Sequence, residues 1–274
     1  MDLTVVPASK SKSDAMTPKL LLFSDLDGCL LNKHDYDWRP AERCLRQLAE
    51  LNIPLILATS KTVSEVRTLL EELPIQPAPF IAENGGAIDW GPLASQEDEA
   101  SECTDIPRSQ ILNVLARLHT QYRFRSFQTL GISGVMAQTD LTDQQARLAL
   151  DRSSTEPLIW DDSEKAIEQF REHLSLAGLT LTRGGRFWHV AGKANKGVAL
   201  MRVAERYDGE SKILAAIGDS QIDQSMLNTV DIPVGIRVNG TLSVNISCPP
   251  GIIPESEGAA GWAEAVTEIL NRIN

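Results

Sequence analysis

The chain has 274 residues, with 42% hydrophobic and 23% charged residues, proportions of an ordinary globular protein rather than a disordered one. Its 26 Lys and Arg against 37 Asp and Glu leave a formal charge of −11, which disfavours nucleic acid or an anionic lipid surface as partner. No run approaches the roughly 18 to 20 apolar residues of a membrane span, and Met1–Pro18 lacks the apolar stretch of a secretory signal.

In chain order, Met1–Pro18 reads as a tail. Leu20–Ser24 (LLLFS), Pro54–Ala58 (PLILA), Phe80–Ala82 (FIA) and Ile213–Ile217 (ILAAI) are short unbroken apolar runs, the pattern of strands covered on both faces. Pro40–Leu51 and Val63–Leu73 space their apolar residues by three and four, as helices do. Strand, helix, strand, helix, strand predicts a parallel sheet with right-handed crossovers. Gly91–Arg108, rich in Glu, Asp, Ser and Pro, reads as a linker into an inserted α+β unit. That unit is expected to hold helices at Ser109–Tyr122, Thr142–Asp151 and Ser163–Leu176. Strands are expected near Arg123–Gln128, Gly134–Gln138 and Leu158–Trp160, with a hairpin of Leu179–Thr182 and Arg186–Val190 around Gly184-Gly185. Helices at Lys196–Tyr207, Asp223–Asn228 and Gly261–Ile273 complete the chain. The expected division is a core of 19–90 and 191–274 with a lid of 91–190. Cys29, Cys44, Cys103 and Cys248 show no zinc-ligand spacing and read as reduced thiols of a cytoplasmic protein.

The chemistry concentrates at the strand ends. The first apolar run leads into Asp25-Leu26-Asp27-Gly28, two carboxylates one residue apart at the edge where open α/β sheets bind ligands. Two such charges are costly there unless a cation or a shared proton compensates. The second run ends in Thr59-Ser60-Lys61-Thr62, hydroxyls and a cation suited to phosphate oxygens at a helix start. The third ends in Glu83-Asn84-Gly85-Gly86, where glycines expose backbone amides. Lys196 opens a helix, and the Ile213 run leads into Gly218-Asp219-Ser220-Gln221-Ile222-Asp223. Acids at Asp25, Asp27, Asp219 and Asp223 suit a hard cation such as Mg²⁺, and with Thr59, Ser60, Lys61 and Lys196 they indicate phosphoryl transfer.

Asp25-Leu26-Asp27-Gly28, Thr59, Lys196 and Gly218-Asp219 with Asp223 resemble, in order and spacing, the four motifs of the haloacid-dehalogenase-like phosphatases of the type IIB cap group. The resemblance covers most of Leu20 to Val238. It implies an α/β, Rossmann-like parallel-sheet core with an inserted α+β cap. Asp25 through Leu31, Asp35-Tyr36-Asp37-Trp38-Arg39-Pro40, Ser60-Lys61-Thr62 and Pro79 through Gly85 are most similar to the mannosyl-3-phosphoglycerate phosphatases, as are Arg152 through Pro157 and Gly184 through His189. The chain departs from that family at Ile222, where Asn is usual, and at Ser153-Ser154, where a Glu-Tyr pair is usual. The resemblance implies Asp25 as nucleophile, Asp27 as acid and base, and Thr59 and Lys196 as phosphate ligands. It implies Mg²⁺ held by Asp25, the Asp27 carbonyl and Asp219, with Asp223 behind them. Ser60, Lys61, Asn84, Gly85, Arg152, Glu156, Arg183, Arg186 and His189 are the expected substrate-binding residues. The substrate would be a small phosphorylated sugar or sugar glycerate, and the product a compatible solute such as mannosylglycerate. Four alternatives stand beside this: a phosphatase of the same cap class acting on glucosyl-3-phosphoglycerate, sucrose phosphate or a simple sugar phosphate, a phosphomutase, a non-catalytic binding protein on the same scaffold, and a phosphorylatable regulator using Asp25.

Overall fold

The computed structural model describes residues 20–95, 100–184, 186–207 and 212–273; the expected tail, Met1–Pro18, and Gly185 lie outside them. The elements in order are β1 (Leu20–Ser24), α1 (Glu42–Glu50), β2 (Leu55–Leu57), α2 (Val63–Leu70), β3 (Phe80–Ala82), β4 (Ala87–Asp89) and β5 (Ser101–Cys103). There follow α3 (Arg108–Leu118), β6 (Phe124–Ser126), α4 (Phe127–Gln138), α5 (Asp143–Leu150), β7 (Thr155–Trp160), α6 (Glu164–Leu176), β8 (Thr180–Arg183) and β9 (Trp188–Ala191). The chain ends with α7 (Lys196–Glu205), β10 (Ile213–Gly218), α8 (Gln224–Leu227), β11 (Ile232–Gly235) and α9 (Gly258–Ile273).

A parallel sheet of order β11-β10-β1-β2 forms the centre. β3 joins it through the parallel bridge Ala58↔Ile81, then continues as the antiparallel set β3-β4-β5. The unbroken apolar runs are explained by two-sided burial. Leu20 and Leu22 of β1 pack into a cluster with α1, α2 and α9, while Leu21 and Phe23 pack against α7 and α8 on the other face. Each such fully buried Leu or Phe contributes roughly 1.5–3 kcal/mol.

The inserted segment forms an antiparallel sheet, β6-β7-β9-β8. α3 and α6 cover one of its faces, with Ile111, Leu115, Phe170 and Leu174 packed on Leu158, Leu181 and Val190.

Two expected elements differ. The expected strand at Gly134–Gln138 is the second half of α4: Ser126 caps the helix start, Gly131 (φ 59°) breaks it, and it resumes because Val135 buries against Ala146 and Ala149 of α5. Tertiary burial overrides the local strand preference there. The expected linker Gly91–Arg108 contains β5, which pairs with β4. Its polar composition is that of a strand with little buried surface.

Candidate active site

Register brings the site together. Ser24 of β1 lies opposite Ile217 of β10 and Leu57 of β2, so Asp25, Asp219 and Thr59 leave the sheet at one edge. The backbone at Asp25 is held by its N–H donating to Ile217 O (2.9 Å) and by Ser24 Oγ donating to Asp25 O (2.7 Å). Ser24 Oγ in turn accepts from Trp262 Nε1 (2.9 Å), which ties the first acid to the core of α9.

Lys196, the first residue of α7, is 2% exposed, and its ammonium donates to Asp25 Oδ1 and Asp223 Oδ1, both at 2.6 Å. Asn195 caps the helix through Val198 N–H (3.0 Å), which sets where Lys196 begins. Burial alone would lower the ammonium's pKa, but Asp223 and Asp25 overcome it and hold it above its ordinary value. Asp223 Oδ2 accepts from the N–H groups of Asp219 and Ser220 and from Ser220 Oγ. The turn after β10 is therefore held by Asp223 and Ser220, and Ile222 beside it is half-buried.

Burial pushes the Asp25 carboxyl well above the usual carboxylate range, against the pull of Lys196. Burial raises Asp219 too, with Lys33 offsetting only part. Carboxylate oxygens of Asp25 and Asp219 and the Cys29 sulfur lie within 4.8 Å of one another. The Asp27 carbonyl oxygen and Asp219 Oδ2 already share one cation, the Lys33 ammonium, at 3.1 and 3.4 Å. A set of buried, under-compensated oxygens arranged around a positive charge fits a hard divalent ion. Only glycine fits at position 28: its φ is +100°, and a Cβ there would lie 2.6 Å from Asp219 Oδ2.

Asp27 pairs through Oδ2 with Lys61 Nζ (3.0 Å), while its Oδ1 is buried with no partner. Thr59 is fully buried; its Oγ1 accepts from Lys61 N–H (3.2 Å) and its carbonyl from Asn84 N–H (2.8 Å). Asn84 Oδ1 is likewise buried without a partner. Gly85 (φ +100°) lies against Asn195 O, where a Cβ would come within 2.4 Å, so the third strand end abuts the start of α7.

The inserted segment docks on this edge through Glu83. Glu83 and Asn84 both adopt left-handed φ, 51° and 59°, a conformation that costs of order 1 kcal/mol or more each outside glycine. The turn aims the Glu83 carboxylate out of the sheet, where it accepts from Ser153 N–H (2.6 Å), Ser154 N–H (3.2 Å) and Thr155 Oγ1 (2.5 Å). Arg152 donates to Ser60 O (3.3 Å) and Thr155 Oγ1 (2.7 Å). Thr62 Oγ1 donates to Leu148 O (2.8 Å), and Ser64 Oγ donates to Asp151 Oδ2 (2.5 Å). His189 is buried with Nδ1 unpartnered; desolvation first, and the Arg152 charge second, lower its pKa to about 3.

The structure therefore gathers Asp25, Asp27, Asp219, Asp223, Lys196, Thr59 and Lys61 at one rim, with Ser60, Asn84, Gly85 and Arg152 beside them. It does not bring Glu156, Arg183 or Arg186 there. Glu156 pairs in register with Val190, and Arg183 with Trp188, on the helix-covered face of the antiparallel sheet. Glu156 is fully buried, bonded to Arg108 Nε and Gln128 N–H, each at 2.7 Å. Arg183 stacks on Trp188, and the exposed Arg186 donates to Gln138 O (3.2 Å). Sequence reasoning passed over Lys33 and the docking role of Glu83. Lys33 carried no local signal, and Glu83 was hidden in what read as a glycine turn. All four cysteines are free, and no helix among the described residues is long and apolar enough to cross a membrane.

The profile of the haloacid dehalogenase-like hydrolases matches residues 22–244. A glucosyl-3-phosphoglycerate/mannosyl-3-phosphoglycerate phosphatase from Persephonella marina is 36% identical over 269 residues, covering 93% of this chain and 98% of that protein. Among solved structures, the sucrose-phosphatase of Synechocystis sp. PCC6803 matches with a TM-score of 0.63 at 16% identity, over 92% of this chain and 98% of that one. A haloacid dehalogenase-like hydrolase from B. subtilis matches with a TM-score of 0.60 at 19% identity, over 93% and 100%. At those identities the structural matches speak for the fold. The chain belongs to the haloacid dehalogenase-like hydrolases. It is a phosphatase.

Proposed function

We propose that the protein hydrolyses the phosphate ester of a glycosyl-3-phosphoglycerate, mannosyl or glucosyl, releasing the glycosylglycerate and phosphate. The observation that carries this is the convergence of Asp25, Asp27, Asp219 and Lys196 at one sheet edge, in a chain similar over nearly its whole length to a phosphatase of such substrates.

Asp25 is the nucleophile. Its carboxylate oxygen attacks phosphorus, the bond to the ester oxygen breaks, and Asp27 gives that oxygen a proton. Asp27 then takes a proton from water, whose oxygen attacks the aspartyl-phosphate, and the Asp25–phosphorus bond breaks. The buried, unpartnered Asp27 Oδ1 is the atom that suits this transfer, while Lys61 holds the other oxygen in place. Thr59 and Lys196 bind the non-reacting phosphate oxygens, where negative charge must be stabilised. Asp25, the Asp27 carbonyl and Asp219 are the residues that would hold Mg²⁺, with Asp223 behind them. When bound, that ion offsets the repulsion between the Asp25 carboxylate and the phosphate.

In this reading the inserted segment is the specificity lobe. Arg152, at the seam with Ser60, Lys61 and Asn84 of the core side, is assigned to the sugar glycerate, and His189 lies on the sheet face opposite α3 and α6. Phosphate release from mannosyl-3-phosphoglycerate, glucosyl-3-phosphoglycerate and sucrose phosphate, each with Mg²⁺ and with EDTA, tests the proposal. The expected result is Mg²⁺-dependent release from one or both phosphoglycerates well above that from sucrose phosphate. Preference for sucrose phosphate would overturn the substrate assignment.

A further inference from the structure

Among the described residues, the Lys33 ammonium is the one cation of the site that the reaction scheme leaves without a task. It donates to the Asp27 carbonyl oxygen (3.1 Å) and to Asp219 Oδ2 (3.4 Å). These are two of the oxygens assigned above to the divalent ion. The approach is built by the chain rather than by chance extension of a surface side chain. Leu26 to Leu31 form a tight turn, with Leu31 N–H on Leu26 O (2.8 Å) and Gly28 N–H on Leu31 O (2.7 Å). The next residue, Asn32, is pinned by its Oδ1 accepting from Ala259 N–H (3.1 Å) at the start of α9. The turn thus returns Lys33 over Gly28, whose missing side chain leaves room: a Cβ there would lie 3.3 Å from Lys33 Cδ. The Lys33 side chain is 40% exposed, against 2% for Lys196 and 21% for Lys61, so it has the most open solvent of the three to swing into.

A divalent ion of the Mg²⁺ kind needs its oxygens at about 2.0–2.1 Å and cannot share both of them with an ammonium. Two cations at that separation would also repel each other strongly in a partly buried setting. Without any cation, Asp219 would be a buried carboxylate beside Asp25 and Asp223, which is costly. We propose that Lys33 is a resident counter-ion: its ammonium holds the Asp27 carbonyl and Asp219 together in the metal-free protein and swings out to solvent when the divalent ion binds. Lys33 is a positioning residue in this scheme and touches no reacting atom. The proposal rests on the metal assignment made under the proposed function.

The test compares wild type, Lys33→Met and Lys61→Met, stripped with EDTA, by thermal unfolding and by calorimetric titration with MgCl₂. Lys61→Met removes an equal charge that contacts Asp27 Oδ2 instead of the metal oxygens. The expected results are a metal-free Lys33→Met protein that melts a few degrees lower than wild type and binds Mg²⁺ about tenfold more tightly. Lys61→Met should tighten Mg²⁺ by clearly less. The melting difference should shrink when Lys33→Met is placed in an Asp219→Asn background, because the charged partner is gone and only the Asp27 carbonyl is left. Unchanged or weaker Mg²⁺ binding by Lys33→Met overturns the proposal, as does equal tightening by Lys61→Met, which would mark a long-range charge effect. A wild-type protein that takes up no Mg²⁺, and whose phosphate release ignores EDTA, overturns the metal assignment as well. Ordinary Mg²⁺ binding by wild type with no change in Lys33→Met overturns this inference alone.

Discussion

At the edge of the parallel sheet, Asp25, Asp27, Asp219 and Asp223 share Lys33, Lys61 and Lys196 in one bonded set. On the antiparallel sheet of the inserted segment, the charged residues first singled out divide between two faces. His189 lies in register with Pro157 and Thr182 on one face, while Glu156 and Arg183 lie on the other with Leu158 and Val190. The difference is geometric. Parallel strands of one sheet all end at the same edge, so a residue just past a strand inherits its place. Antiparallel strands alternate faces with period two, so a neighbour in sequence is on the opposite side. A strand-end site is thus read from the positions of strands, whereas a site on a sheet face depends on register.

The contrast is broken most sharply at Asp25. Asp25→Asn should lose at least about 10⁴-fold in turnover on every substrate, with an unchanged circular dichroism spectrum, because the proposed nucleophile is gone. Substantial turnover would remove the core rim from the chemistry. On the inserted segment the effect should depend on substrate. Arg152→Ala should lower kcat/KM for the sugar phosphoglycerate by about 10- to 100-fold, yet change p-nitrophenyl phosphate hydrolysis by no more than about threefold; equal losses on both would deny this face a part in specificity.

Stability distinguishes the two regions as well. Lys196→Met leaves Asp25 and Asp223 buried without their shared cation, and should cost about 3–5 kcal/mol in urea unfolding of the metal-free protein. Arg186→Ala, an exposed residue of the inserted segment, should change stability by less than about 0.5 kcal/mol in the same assay. A pH dependence is expected at His189. Its folded pKa, about 3, lies below the 6.5 of an unfolded histidine, so between those values the unfolded chain binds more protons. The stability from the neutral ring is therefore complete above about pH 6.5 and is lost as pH falls toward 3. His189→Asn should flatten that part of the stability–pH curve; an identical curve would mean that the ring is not held neutral.

The amino-acid sequence by itself determined the sheet core and its rim. Unbroken apolar runs of three to five residues fit strands covered on both faces, and the acids, hydroxyls and lysine that follow them reach one edge by the rules of parallel connection. That is why Asp25, Thr59, Lys196 and Asp219 were legible as one site. What the tertiary structure decided was everything that depends on contacts between distant segments. β5 escaped notice because a polar strand with little burial has a linker's composition. Gly134–Gln138 became helix because Val135 found a partner in α5. Glu83 holds the inserted segment through donors seventy and more residues away, and Lys33 reaches Asp219 across 186 positions. Local pattern reports burial and periodicity, but a single charged side chain has neither, and its partner is chosen only when the chain has closed on itself.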